Sequence, residues 1–460
     1  MDANTVFDAD LIRRYDRTGP RYTSYPTAVQ FRAPFDVQTY RAAALLSNAG
    51  TTPLSLYVHV PFCASPCFYC GCNRVITRSP IKAERYVAAL CNEIELQARQ
   101  FTGHRPVEQL HFGGGTPTFL SIAQLKRIMD RLRKEFTLAT DEQREYSIEI
   151  DPRTVDDTMI DALAELGFNR MSLGIQDFDP AVQAAVNRIQ SVEQTMAVVE
   201  RARLRGIHEI GFDLIYGLPR QTLQGFAHTL EHVVRARPTR VAVYGYAHLP
   251  QMFKAQRHIN AEELPSPAER LALLELSISK LNDAGYVYIG MDHFALPDDG
   301  LVRALRDGHL HRNFQGYSSH ADCDLVGLGV SAIGKVGDVY VQNAKELPDY
   351  YASVENHQLA VRKGLKLNSD DRVRRDVIQQ LMCNGHVDFA QIAQDHCIEF
   401  TSYFATELER LEDMSADGLV EVSSRDLHVT ARGRLLMRNI AMTFDAYLQP
   451  QRTAAFSKVI

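Results

Sequence analysis

The chain has 460 residues, 45% of them apolar and 23% charged, with a formal net charge of -6 and a pI near 6.2. That composition suits one large core plus a smaller appended domain and argues against a disordered chain. It also argues against bulk attraction to nucleic acid or anionic lipid, both of which need concentrated positive charge on the protein. From the N-terminus, Met1 to Tyr15 carry Asp2, Asp8 and Asp10 and no apolar core of signal-peptide length. No later apolar run approaches the roughly 20 residues that span a bilayer, so the expectation is a cytoplasmic protein without membrane insertion. Four of the eight cysteines fall within ten residues, which in a reducing compartment points to metal or redox chemistry and not to a disulfide scaffold.

After an N-terminal extension, residues 1–50, short β-rich runs alternate with amphipathic segments. Leu56–Val60, Gln109–Phe112, Tyr146–Ile150, Arg170–Ile175, Ile210–Leu214 and Arg240–Tyr244 read as strands. Ala83–Gln100, Ile122–Phe136, Met159–Leu166, Val192–Arg205, Leu223–Arg235 and Pro267–Ala284 read as helices, with apolar residues three or four apart. Six β/α units in series imply a parallel sheet. Val287–Gly290 could add a seventh strand, but the repeats are too few for a closed eight-unit barrel, so residues 51–364 are expected to form a partial (β/α)6 barrel with its chemistry at the strands' C-terminal ends. Residues 365–460 change to helices, Val373–Cys383, Phe389–His396 and Thr401–Met414, and then a hairpin-like stretch from Gly418 to Val429; that order is winged-helix-like. Residues 366–460 hold 11 basic against 14 acidic side chains, the wrong balance for reading DNA, so a lid or scaffold is the expected role.

The cysteines Cys63, Cys67, Cys70 and Cys72 follow the first strand in C-x3-C-x2-C spacing with a C-x-C ending. Three closely spaced thiolates can ligate three irons of a cubane cluster and leave the fourth iron open. A zinc site using all four thiols fits poorly, because one residue separates Cys70 from Cys72. Strand alternation puts Tyr57 and His59 on one face beside the loop, and likewise groups Ser147 with Glu149 and Asp151, Ser172 with Gly174 and Gln176, and Gly211 with Asp213. Buried carboxylates need partners, either arginines such as Arg153 and Arg188 or polar groups of a ligand. In His-Phe-Gly113-Gly114-Gly115-Thr116 the glycines let backbone approach a ligand where a Cβ would collide. His320, Asp322, Cys323 and Asp324 are crowded in sequence, which does not by itself create convergent geometry, and they are read as structural. Gly327-Leu-Gly329 is a poor dinucleotide fingerprint.

The cysteine spacing, with Tyr69 before the last of the three, resembles the radical S-adenosylmethionine superfamily. The C-x-C ending, Arg-Tyr-Thr-Ser-Tyr-Pro at 21–26, Gly-Met-Asp-His-Phe-Ala at 290–295 and His-Arg-Asn-Phe-Gln-Gly-Tyr at 311–317 resemble its oxygen-independent coproporphyrinogen III oxidase branch. The resemblance implies a [4Fe-4S] cluster on Cys63, Cys67 and Cys70, with its open iron chelating the methionine end of S-adenosylmethionine, and two molecules of that cofactor in all. It implies cofactor contacts from Tyr57, Tyr69, Gly113, Gly114, Thr116, Glu149, Gln176, Arg188, Asp213, Ala247 and Ile333, with Tyr57 and His59 beside the reacting groups. Cys72 is not assigned as a ligand, since a fourth thiolate would block the open iron.

The implied reaction is oxidative decarboxylation of two propionates of coproporphyrinogen III to vinyl groups, giving protoporphyrinogen IX in heme biosynthesis, by 5'-deoxyadenosyl radical chemistry. It needs an electron donor such as flavodoxin or ferredoxin, and an acceptor that this sequence does not identify; the expected state is a monomer. Residues 1–50 would then gate the substrate and 365–460 cover the site. Arg21, Arg303 and Arg312 are candidate carboxylate clamps. The rival reading is a heme chaperone of the same superfamily, which binds without turnover. Against it stand Cys72, the Arg21–Pro26 segment, and the 311–317 run where a chaperone is expected to carry His-Asn-x-x-Tyr-Trp; the chain contains no Trp.

Overall fold

The structure, a computed structural model, describes residues 5–141, 144–320 and 323–448. Asp322 and residues 449–460 of the C-terminal region lie outside the described residues. All six expected strands form: β1 (Leu54–Val60), β2 (Pro106–Gly114), β3 (Glu145–Ile150), β4 (Arg170–Gln176), β5 (Glu209–Tyr216) and β6 (Arg240–Gly245). They pair in chain order and in parallel. Helices α1 (Pro80–Ala98), α2 (Ile122–Glu135), α3 (Asp157–Glu165), α4 (Val192–Leu204) and α5 (Leu223–Ala236) form the crossovers, and α6 (Pro267–Asp283) follows β6. Local chemistry sets several starts: Ser121 with Gln124 and Ser266 with Glu269 close capping boxes, the latter with Pro267 at the first turn.

Burial alternates along β4 and β5 as the two-residue period requires. Met171, Leu173 and Ile175, then Ile210, Phe212 and Leu214, are buried in the main core. Ser172, Gly174, Gln176, Gly211 and Asp213 take the opposite face, which lines internal cavities.

The sheet does not close. Val287–Gly290 does form a strand, β7, but it runs antiparallel to β8 (His293–Ala295), which is itself antiparallel to β6. A turn at Met291 and Asp292 has no room for a crossover helix, so β7 caps an edge and adds no seventh β/α unit. At the other edge β9 (Asp324–Leu328) is parallel to β1, and β10 (Ile333–Val336), β11 (Val339–Asn343) and β12 (Val361–Lys366) continue antiparallel. The order is β7-β8-β6-β5-β4-β3-β2-β1-β9-β10-β11-β12, a partial six-unit barrel extended on both sides.

In the C-terminal region, helices Ser369–Asn384 and Phe389–His396 form, and strand Asp426–Val429 pairs antiparallel with His386–Asp388 on one side and Val420–Val422 on the other. The helix expected over 401–414 is instead three short pieces, Phe400–Tyr403, Ala405–Arg410 and Glu412–Ala416. It breaks at Phe404, whose ring is fully buried against Phe400 and Phe444, so core packing overrides helical continuity. This core also takes Leu11, Tyr15, Tyr22 and Tyr25 from the N-terminal segment. No helix among the described residues is long and apolar enough to cross a membrane.

Candidate active site around the cysteine loop

The loop carrying the thiols leaves β1 at Pro61 and is closed at its root by a short parallel pair, Phe62–Cys63 with Val75–Ile76. Phe62 is fully buried against Tyr86 and Phe119, which fixes where Cys63 emerges. Cys63, Cys67, Cys70 and Cys72 all line one cavity of about 290 Å³ over the C-terminal ends of β2 to β5. The first three do not converge as ligands of one ion do, which for tetrahedral zinc puts sulfurs ~3.8 Å apart. Among the described residues, the ligand atoms that gather within 4.8 Å of one another belong to Glu108, His320 and Cys323. Glu108 of β2 meets His320 and Cys323 across the fold, a grouping that their crowding in sequence does not show. Asp324 instead pairs with Arg105, 2.6 Å away.

Cations and donors surround the sulfurs. Arg188 is buried, and donates from Nη1 to Cys67 Sγ at 3.5 Å and to Asp151 Oδ2 at 3.1 Å. Arg153 reaches Cys67 Sγ at 3.7 Å while pairing with Asp151 at 2.7 Å, so the expected arginine partners of that carboxylate are both in place. Thr116 donates to Cys63 Sγ at 3.5 Å. The hydrogen bond from Cys72 and the charge of Arg74 outweigh burial and pull the Cys70 thiol down to about 6. Burial raises the Cys63 thiol to about 11, while the guanidiniums and the hydroxyl beside the sulfurs suit thiolates held by a cationic cluster.

The glycine run is shaped as much by protein as by any ligand. Gly115 N–H donates to Val60 O at 2.8 Å and Thr116 N–H to Phe62 O at 2.9 Å, binding the run to the root of the cysteine loop. A Cβ on Gly115 would lie 2.8 Å from the Pro61 carbonyl, and one on Gly113 would lie 2.8 Å from Glu149 Oε1. Gly114 has φ +111°, and a Cβ there would meet the His59 ring at 2.5 Å.

Behind this run the polar strand faces are paired. His59 Nε2 contacts the Asn73 carbonyl at 3.1 Å, so that nitrogen carries the proton and Nδ1 accepts from Tyr57 Oη at 3.0 Å. Burial lowers the His59 pKa, consistent with this neutral tautomer. The Tyr57 ring stacks on His111 at 5.8 Å. His111 in turn meets Ser147 at 2.5 Å and Glu149 at 3.2 Å. Glu149 also accepts from Gly114 N–H at 3.1 Å; burial alone would raise its pKa, but the bond and charge of His111 and the Gly114 N–H hold it below the usual carboxylate range. Asp213 takes a 2.8 Å bond from Ser172, and burial pushes it up to about 6.

The cavity thus brings together Tyr69, Gly114, Thr116, Glu149, Gln176, Arg188 and Asp213 with the thiols. Gln176 holds φ +66°, an uncommon backbone state for a non-glycine residue and one concentrated at ligand sites. Gly113, Tyr57 and His59 stand behind the lining. Ala247 is tied to the site through Gln256, which donates to both the Ala247 and Tyr69 carbonyls. Ile333, at the start of β10, packs with Phe31, Tyr340 and Leu367. A second cavity of about 170 Å³ continues inward past Glu149, Ser172, Asp213 and Tyr244.

Residues 57–233 match the model of the Radical SAM superfamily, and residues 367–436 match the HemN C-terminal domain. The chain is 53% identical over 457 residues to an oxygen-independent coproporphyrinogen III oxidase of Pseudomonas aeruginosa, covering 99% of each. The chain belongs to the oxygen-independent coproporphyrinogen III oxidase family. It is also 49% identical to the oxidase of Escherichia coli K12, covering 99% of this chain and 98% of that one. The solved coproporphyrinogen III oxidase from Escherichia coli, a Radical SAM enzyme, superposes with a TM-score of 0.92 and 47% identity over 97% of this chain and 100% of that one.

Several neighbours of the oxidase site escaped sequence reasoning. Arg74, two residues past Cys72, donates to the Cys67 carbonyl at 3.1 Å; its place beside the cysteine motif was an available signal. Tyr244, which lines both cavities, had no motif to mark it. Among the three candidate clamps, Arg303 is exposed on helix Gly300–Arg306, whereas Arg21 and Arg312 meet in the interior.

Proposed function

We infer that this chain catalyses oxygen-independent oxidation of coproporphyrinogen III, converting two propionates to vinyl groups and giving protoporphyrinogen IX. The observation that carries the reading is likeness to named oxidases over essentially the whole length, 53% identity across 99% of both chains, with the thiols grouped in one cavity. The chaperone reading is not favoured, because the relatives matched over the full chain are oxidases.

Cys63, Cys67 and Cys70 are the proposed holders of a [4Fe-4S] cluster, and Tyr69, Gly113, Gly114, Thr116, Glu149, Gln176, Arg188, Asp213, Ala247 and Ile333 of two molecules of S-adenosylmethionine. When bound, these groups supply the radical that removes one β-hydrogen atom from a propionate, whose carboxylate then leaves as carbon dioxide while one electron passes to an acceptor. The protein's part is positioning and exclusion of water. Glu149, kept ionised, and Asp213, which burial raises to about 6 and which is mostly carboxylate at neutral pH, both offer acceptors to cofactor groups. Neutral His59 fixes the Tyr57 hydroxyl, whose phenol burial keeps protonated. Residues 1–50 serve as the gate, 51–364 as the catalytic barrel and 365–460 as the cover. A flavodoxin- or ferredoxin-type carrier donates the electron, and the enzyme acts as a cytoplasmic monomer.

The test is anaerobic reconstitution with iron and sulfide, addition of reductant, S-adenosylmethionine and coproporphyrinogen III, and parallel assay of deoxyadenosine, carbon dioxide and protoporphyrinogen. Coupled appearance of all three, abolished by Cys63→Ala, is expected; tight heme binding without substrate-dependent carbon dioxide would establish the chaperone instead.

A further inference from the structure

Away from the thiols, three arginines gather where the N-terminal segment, the hairpin 311–318 and the C-terminal region meet. Arg312 is only 4% exposed; its Nε donates to the Arg21 carbonyl at 3.3 Å, its guanidinium lies 4.6 Å over the Tyr317 ring, and its buried Nη1 has no hydrogen-bond partner. Among the described residues no carboxylate stands within ion-pair distance of it. Arg21 lies 5.6 Å over Tyr244, pairs with Asp292, and keeps 35% of its side chain accessible although deep in the protein. Arg438, from the C-terminal region, donates to the carbonyls of Gly19 and Pro20 at 2.5 and 3.1 Å and so fixes the turn that presents Arg21. Burial and then the charges of Arg21 and Arg312 push Arg438 down to about 9.

An uncompensated buried guanidinium is costly until a partner arrives, and its planar fork matches a carboxylate. Tyr244, under Arg21, lines both the thiol cavity and the inner cavity, and Tyr317, under Arg312, lines the inner one. The cationic group therefore borders the space where the chemistry is proposed. Two carboxylate sources could reach it. The methionine end of S-adenosylmethionine is a poor match, because its carboxylate comes with an ammonium and a sulfonium, so the molecule brings no net negative charge to the unpaired Arg312 guanidinium. Propionates of a tetrapyrrole bring negative charge with no cation attached.

We propose that Arg21 and Arg312 form a carboxylate receptor that grips propionates of the tetrapyrrole, with Arg438 as the positioning residue that completes it from the C-terminal region. This rests on the oxidase reading above and adds where the substrate's charge is held.

The experiment uses full-length, cluster-reconstituted protein and the oxidised, non-reacting coproporphyrin III, as free acid and as tetramethyl ester, with binding followed by porphyrin fluorescence. Wild type should bind the acid at least tenfold tighter than the ester. R312Q should weaken the acid at least tenfold and leave the ester and S-adenosylmethionine within twofold; R438Q should weaken the acid and R438K restore it. Should R312Q fail to fold, R312K, which keeps the charge and loses the fork, carries the same thresholds. Acid binding within twofold of wild type in the folded Arg312 variant overturns the receptor, as does a tenfold loss of S-adenosylmethionine binding in place of porphyrin binding. Wild-type turnover is measured alongside: turnover with unchanged variant binding sinks only the receptor, whereas absent turnover sinks the oxidase reading.

Discussion

Asp213 and Gly114 show how single residues set the terms of the site. Asp213 is held by Ser172 in an interior that raises its pKa from 3.8 to about 6. The folded chain therefore prefers the protonated form: the stability this contributes is full below the unfolded value and is lost as pH rises through about 6. D213N cannot ionise, so wild type should lose at most about 3 kcal/mol relative to it between pH 4 and 7. Denaturant unfolding at four pH values measures this, and parallel curves for the two proteins would refute it. Gly114→Ala adds a Cβ 2.5 Å from the His59 ring at φ +111°, costing about 1–3 kcal/mol in backbone strain before the clash is counted. S-adenosylmethionine affinity should fall at least tenfold by equilibrium dialysis, with iron content unchanged.

At the scale of elements, Glu93 on α1 ties the barrel to its antiparallel extension. Its fully buried carboxylate accepts from Gly329 N–H and Tyr350 Oη, both at 2.6 Å, and from Asn343 Nδ2 at 2.6 Å. Burial, only partly offset by these bonds, raises it to about 7. Glu93→Gln sets an amide donor against the Asn343 donor and should cost about 1–3 kcal/mol at pH 5. Wild type loses stability as pH climbs from about 4.5 through 7 and the variant does not, so the gap in melting temperature should narrow by pH 8. A gap independent of pH would mean that Glu93 does not titrate in this range.

Over the whole molecule, the chain's two ends make one unit. Asp417 accepts from Arg14 at 2.8 Å and from Tyr15 at 2.5 Å, Tyr22 donates to Asp445 at 2.9 Å, and Asn439 donates to the Tyr15 carbonyl at 2.6 Å. Asp417→Ala should destabilise by about 1–2 kcal/mol, since it strands a part-buried tyrosine hydroxyl. Hydrogen exchange should accelerate across Ala9–Tyr15 and stay unchanged in β1 to β6; equal acceleration everywhere would argue against a separable tether.

The sequence by itself determined the six parallel strands, their crossover helices and the grouping of the thiols, because those features rest on local periodicity and on spacing within a single loop. Alternation alone sorted Tyr57 with His59, and Ser172 with Gln176, onto shared faces. Only the tertiary structure decided what is long-range. The sheet stays open because β7 returns antiparallel through a two-residue turn and β10 to β12 extend the opposite edge. Glu93 and Arg438 bond to segments more than two hundred residues away, and Tyr244 lies under Arg21 from the N-terminal segment; no short-range pattern encodes such pairings. The same holds for the helix broken at Phe404, where burying an aromatic ring outweighs the local preference to continue.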